Sequence, residues 1–174
     1  MLQELISKVK KSLLGSSSRQ HIGISLHDTS IVVVIGVVFE QNWHYITQHK
    51  FECSDKEQWP LVLAEKVMPL LNKKDHIYFS IPPGSYQVLQ IEKPNVPEDE
   101  IEGAIPWLVK DLVSVPQEKI VCDYYLSPVK IPMQPEKVTI VVSNLDLIES
   151  LVSTVSHAGM ALRGICAQEF CLPQ

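Results

Sequence analysis

Three groups of residues have types that could do chemistry. Ser25, His27 and Asp28 crowd one short stretch, and serine, histidine and aspartate are the parts of a nucleophile with its proton relay. Glu98-Asp99-Glu100 with Glu102 places four carboxylates within five residues, donors suited to a hard cation. Cys53, Cys122, Cys166 and Cys171 supply four thiols. Against the first, all three residues sit at a strand end and in the turn after it, where any polar residues would look similar. The carboxylates read as a solvated helix start, where acidic side chains suit the helix dipole. A metal would need ligands from other elements as well. The cysteines lack metal-like clustering: Cys166 and Cys171 are five apart with no histidine beside them, which reads as free thiols in a reducing compartment. The seven glycines are too dispersed for a phosphate loop. No His-Glu-x-x-His, zinc ribbon or calcium loop occurs, and Gly84-Ser85 is not a nucleophile elbow. His21, His44, His49, His76 and His157 are scattered. No metal and no cofactor are expected.

These residues belong to a chain of 174, long enough for one sizeable core or two small lobes. Apolar residues make up 45% and charged residues 20%, which excludes a coiled coil, a collagen-like chain and a disordered tail. The net charge of −5 is unlike that of a generally basic nucleic-acid binder, so no nucleic-acid partner is expected. The longest apolar run, Ile31–Phe39, is too short to span a membrane and β-branched enough for a buried strand. The N-terminus has no continuous apolar region or cleavage site, so no signal peptide is expected.

Residues 1–14 show Leu2, Leu5, Ile6, Val9 and Leu13 at helical spacing, with Lys8, Lys10 and Lys11 mostly on the other side. This predicts an amphipathic helix, uncoupled by the Gly15–Ser18 joint and suited to an anionic membrane surface, a partner chain or its own domain. Three strands are expected at His21–Leu26, Ile31–Phe39 and Trp43–Phe51, the second covered on both faces. A helix follows from a capping box of Ser54 and Glu57, with Pro60 in its first turn and Pro69 at its end. His76–Ile81 is a fourth strand. Tyr86–Glu92, a helix over 98–113 burying Ile101, Ile105, Leu108 and Leu112, and Ile120–Leu126 form a βαβ set. Val138–Val142, a helix capped at Asp146 and Glu149 and closed by Gly159, and Leu162–Ala167 form another. The fold class is α/β. Trp43, Trp59 and Trp107 are expected mainly as packing residues.

The order βββαβ with an inserted βαβ lobe resembles the first half of the actin-like ATPase fold, an RNase H-like mixed sheet. Three segments bring the likeness closer: His21–Val34, Ile101-Glu-Gly-Ala-Ile-Pro-Trp107 running on to Cys122–Leu126, and His157–Ile165 followed by Ala167-Gln-Glu169. In that order they resemble the PilM/MshI group of type IV pilus biogenesis proteins, the MSHA-pilus members most, and more distantly the cytoplasmic actin-like domain of the type II secretion protein GspL. The resemblance covers about residues 20–172.

The resemblance implies a division into 1–18 (helix and joint), 19–83 (first part of the actin-like lobe), 84–140 (inserted lobe, jointed at Pro83-Gly84 and Pro132–Pro135) and 141–174 (return to the first lobe). A second actin-like half, with the second phosphate loop and adenosine pocket, is expected to be absent. In the family the first strand-turn-strand carries a phosphate signature like Asp-x-Gly-x-x-Ser. The matching positions are Ser25, His27 and Ser30, of which the first two depart. The missing carboxylate removes a group that positions metal and water, and a histidine at 27 crowds a phosphate. The implied role is therefore that of a non-catalytic cytoplasmic scaffold, peripheral to the inner membrane. It would bind an inner-membrane assembly protein's cytoplasmic segment in a groove between the lobes, and an assembly ATPase is a further implied partner. Tyr86, Trp107 and Tyr124 are the partner-binding candidates, as aromatics suited to interfaces. The alternative is an ATP-binding actin-like enzyme whose second half lies outside this chain.

Overall fold

A computed structural model describes residues 20–126, 133 and 135–171. The expected N-terminal helix, with Leu2, Leu5, Ile6, Lys8, Val9, Lys10, Lys11 and Leu13, lies outside the described residues. The chain divides into two compact units, one formed by the chain up to Pro82 and from Leu151 onward, the other by Pro83–Ser150.

The first unit is built on a five-stranded mixed sheet. Its strands are β1 (Gln20–His27), β2 (Ser30–Phe39), β3 (Asn42–Glu52), β4 (His76–Ile81) and β8 (Ala161–Ala167), in the order β3-β2-β1-β4-β8. β1, β2 and β3 are antiparallel neighbours, while β4 runs parallel to β1 and to β8. Side chains alternate across a strand, and here that alternation sets the core. Ile22 and Ile24 lie in register with Ile35 and Val33 of β2 and with Ile77 and Phe79 of β4, all buried.

β2 is an interior strand as expected, buried along one face and partly covered on the other. Ile31, Val33, Ile35 and Val37 are buried, Val32 and Val34 are half-buried, and Val38 is exposed. The other face of β2 carries Gly36, because the Trp43 ring occupies the space a side chain would need and a Cβ there would clash with that ring. The β2–β3 turn is Glu40-Gln41, with Asn42 already in the strand, and both turn residues have positive φ. That is the requirement of a type I′ hairpin turn.

The helix after β3 is α1 (Trp59–Val62), preceded by a 3-10 turn at Lys56–Gln58 and continued by a π turn at Leu63–Val67 and a 3-10 turn at Met68–Leu70. The cap is Asp55, whose Oδ1 accepts from the N–H groups of Glu57 and Gln58. Ser54 is instead the residue whose N–H is received by Gln58 Oε1, so the expected box is shifted by one residue. Pro60 stands in the first turn. Pro69 has no N–H to give to the preceding turn, and the chain widens before it, with Met68 N–H bonded to the Leu63 carbonyl. Asp75, passed over in the sequence, is buried and ties the start of β1 to the turn before β4. Its two carboxylate oxygens accept from the N–H groups of Gln20 at 3.3 Å and Asn72 at 2.9 Å.

The second unit has a three-stranded antiparallel sheet, β5 (Tyr86–Glu92), β7 (Lys137–Asn144) and β6 (Ile120–Leu126), in the order β5-β7-β6. Helix α2 (Ile101–Val109) follows a 3-10 turn at Glu98–Glu100 and contains Pro106. Ile101, Ile105 and Val109 form its core with Val138, Ile140 and Val142 of β7. One boundary differs from the expectation. β7 is the central strand of this sheet and runs to Asn144, so the insert extends past 140, to Ser150. The expected joint at Pro132–Pro135 lies largely outside the described residues, in the sequence between β6 and β7.

Helix α3 (Leu145–His157) is the last α-helix among the described residues. Its start is capped by Asn144, whose Oδ1 accepts from the Asp146 N–H at 2.9 Å, rather than by the expected Asp146 and Glu149. At its end Gly159 has φ +69° and its N–H reaches the Ser156 carbonyl, while Met160 N–H reaches that of Val155. This is a Schellman close.

Candidate functional site

The turn that matched the phosphate signature is Asp28-Thr29, with His27 and Ser30 paired across it. Trp59 Nε1–H donates to the His27 carbonyl at 2.9 Å, and Cys53 N–H donates to the Thr29 carbonyl at 3.0 Å. The Asp28 carboxylate is 3.3 Å from Lys56 Nζ. Ser25 Oγ and His27 Nε2 are hydrogen-bonded to one another at 3.1 Å, and Ser30 is buried. The turn is thus fastened through its carbonyl oxygens to the segment around α1. Phosphate needs the opposite presentation, converging N–H groups in positive surroundings. Here Glu52, Asp55 and Glu57 lie in the same segment as Lys56. Ser25 and His27 meet through their hydrogen bond, and Ser30 stands opposite His27 across the turn.

Three of the thiols are held toward the neutral form. Burial, then the carboxylates of Asp55 and Glu52, pushes Cys53 up; burial, then Asp123 and Glu102, does the same for Cys122. Burial and the neighbouring Cys171 raise Cys166 to about 11, and the Cys166 and Cys171 thiols both donate to the Ala167 carbonyl. Reactive cysteines have lowered pKa values. Among the described residues no cluster of histidine, cysteine or carboxylates could hold a metal ion. No described helix is long and apolar enough to cross a membrane.

The three partner-binding candidates separate. Tyr86 is buried, so the exposed-aromatic argument does not apply to it. Tyr124 is half-buried against the second unit's core. Trp107 is 63% exposed, with Lys110 Nζ 5.7 Å from its ring centroid, so it is not the packing residue that its position in a helix suggested. The helix is also rotated from the expected pose. It buries Ile101, Ile105 and Val109, and it leaves Leu108 and Leu112 exposed. The α-helix ends at Val109, and the Leu112 N–H bonds to the Val109 carbonyl in a tighter turn. Trp107, Leu108 and Leu112 therefore make an open apolar surface on the second unit.

No family model matches the chain, and no curated protein matches it. Solved structures do. The cytoplasmic domain of EpsL, an inner membrane component of the type II secretion system of Vibrio cholerae, matches 91% of this chain with a TM-score of 0.59 and 10% identity. The PilM–PilN type IV pilus biogenesis complex matches 90% with a TM-score of 0.69 and 15% identity. A protein of actin-like ATPase fold and unknown function from Bacteroides thetaiotaomicron matches 86% with a TM-score of 0.50 and 12% identity. The chain spans 60%, 49% and 52% of these three structures, respectively. The mixed five-stranded sheet and its antiparallel insert are thus an RNase H-like arrangement, and the fold of the chain is that of the actin-like ATPases.

Proposed function

We propose that the protein is a non-catalytic component of a type IV pilus or secretion assembly platform, held at the cytoplasmic face of the inner membrane by a membrane partner's cytoplasmic segment. The observation that carries this reading is the fold itself, shared with EpsL, a component of a type II secretion system, and with PilM of a type IV pilus biogenesis complex. Within that group the three sequence segments favour the PilM/MshI members, with MshI of the MSHA pilus as the specific assignment. The fastened β1–β2 turn supports the non-catalytic part, because its His27 and Thr29 carbonyls and the neighbouring Lys56 are already engaged. An assembly ATPase is a second partner in this reading, and the lysine-bearing residues 1–14 are a candidate membrane contact.

The test is a binding titration of the chain against labelled peptides covering the cytoplasmic segments of the inner-membrane assembly proteins encoded beside it. Saturable binding of one such segment, with no magnesium-dependent nucleotide turnover, is the expected result. Nucleotide turnover that is lost on Ser30→Ala overturns the non-catalytic reading. Failure of every segment to bind overturns the platform reading.

A further inference from the structure

We propose that the outer face of α2 is a docking surface for a partner helix that carries an apolar stripe with lysines or arginines at one end. The proposal deepens the platform reading and takes from it the kind of partner, an inner-membrane protein. Three observations on the second unit converge. The first is the open apolar surface of Trp107, Leu108 and Leu112, whose exposures are 63%, 44% and 57%. Aromatic anchors of this kind dominate binding energy when a partner covers them.

The second is Gly103. It stands four residues before Trp107, one turn along the same face, and a Cβ built there meets nothing within 4 Å. Glycine inside a helix weakens it and is retained where another backbone must come close. Among the described residues no contact calls for glycine at this position. A bare stretch of helix beside an exposed indole is the shape that lets a second helix approach.

The third is charge. Glu98, Asp99, Glu100 and Glu102 are exposed at the start of α2. Lys93 pairs with Glu98, and among the described residues no ion pair engages the other three. At the far end Lys110 lies over the Trp107 ring beside Asp111. A second copy of this chain would meet three uncompensated carboxylates with a Lys–Asp pair of no net charge. A helix with basic residues meets them with opposite charge. Cytoplasmic segments flanking membrane spans are enriched in lysine and arginine, so an inner-membrane partner supplies that chemistry.

The experiment uses three fluorescent probes on the full chain: an 18-residue amphipathic Leu/Lys helix, its Leu/Glu counterpart, and the cytoplasmic segment that binds in the titration above. The Leu/Lys helix and the segment are expected to bind at least tenfold more tightly than the Leu/Glu helix. Trp107→Ala and Gly103→Leu should each weaken them at least tenfold. Glu100→Lys with Glu102→Lys should invert the preference between the two model helices. Circular dichroism confirms folding of each variant, and Gly103→Ala, which has space for its methyl group, serves as the mild version of the same block. Unchanged affinity of the segment in Trp107→Ala and Gly103→Leu removes the site while leaving the platform reading standing. Binding of the Leu/Lys helix through this face when no segment binds supports the site and removes the platform reading. Equal binding of the two model helices overturns the charge argument and with it the proposal.

Discussion

The β1–β2 turn and the outer face of α2 are opposite solutions to the same problem of what to do with binding groups at a surface. In the turn, the carbonyls of His27 and Thr29 are taken by Trp59 and Cys53, Asp28 by Lys56, and Ser25 by His27. A corner that satisfies itself has little left to offer a ligand. On α2 an indole and two leucines stand exposed, and among the described residues no ion pair engages three of the carboxylates at its start. The difference shows that a motif's position in a fold does not by itself make a site. The groups there must also be left over after folding.

The sharpest way to break the comparison is through its two tryptophans. Trp59 is buried and holds the turn's carbonyl. Trp59→Ala should cost about 3–5 kcal/mol, from lost burial and a cavity, read in denaturant unfolding. Trp107→Ala should stay within about 0.5 kcal/mol, as exposed substitutions do. Equal costs would mean that the α2 face is covered within the chain.

The same logic applies to neighbouring valines of β2. Val33 is fully buried, whereas Val34 is half-buried and lies between Gly23 of β1 and Gln48 of β3. Val33→Asp should cost roughly 3 kcal/mol or more through burial of an unpaired charge. Val34→Asp should cost about 1 kcal/mol. Equal tolerance at both positions would remove the one-sided burial of this strand.

Much of the architecture was readable because alternation is local. Ile22, Ile24 and Leu26 announce an inward face without knowledge of their partners, and so do Ile77, Phe79 and Ile81. What was not readable depends on partners. Nothing in Val138–Val142 tells which sheet it joins, so the end of the insert was placed too early. Ser54 and Asp55 are both good caps, and only the backbone decides between them. The α2 stripe could be 101-105-108-112 or 101-105-109, since Leu108 and Val109 are adjacent and both apolar. The early helix end at Val109 settles it, and that choice exposes Trp107. Tyr86 and Tyr124 were candidates by residue type alone, and strand parity does not say which face is the inner one.

A chemical probe extends the contrast to the thiols. The ordinary value is 9.0 and Cys166 is raised to about 11. A raised thiol pKa means less thiolate at neutral and mildly basic pH. Alkylation of Cys166 at pH 8 should therefore be slower than that of an unperturbed thiol by about two orders of magnitude, and its rate should keep rising with pH until about 11. Peptide-resolved mass spectrometry of iodoacetamide-treated protein, with Cys171 left in place, reads this directly. A rate that levels off near pH 9 would show that burial and Cys171 do not hold the proton on.

The smallest effect is the most discriminating for α2. Gly103 is helical, exposed and has open space where a methyl group would go. Alanine there removes conformational freedom from the unfolded chain and strains nothing in the folded one, since its φ is not positive. Gly103→Ala should thus stabilise the free protein by about 0.5–1 kcal/mol, measured as a higher denaturation midpoint with an unchanged slope. A position that serves only the fold would then be improved without cost. A position kept bare for a partner should show gain and loss together: a more stable chain that binds its partner helix less well, with Gly103→Leu losing more. Destabilisation by alanine would mean that something within the chain already occupies that space, and the open face of α2 would then be closed.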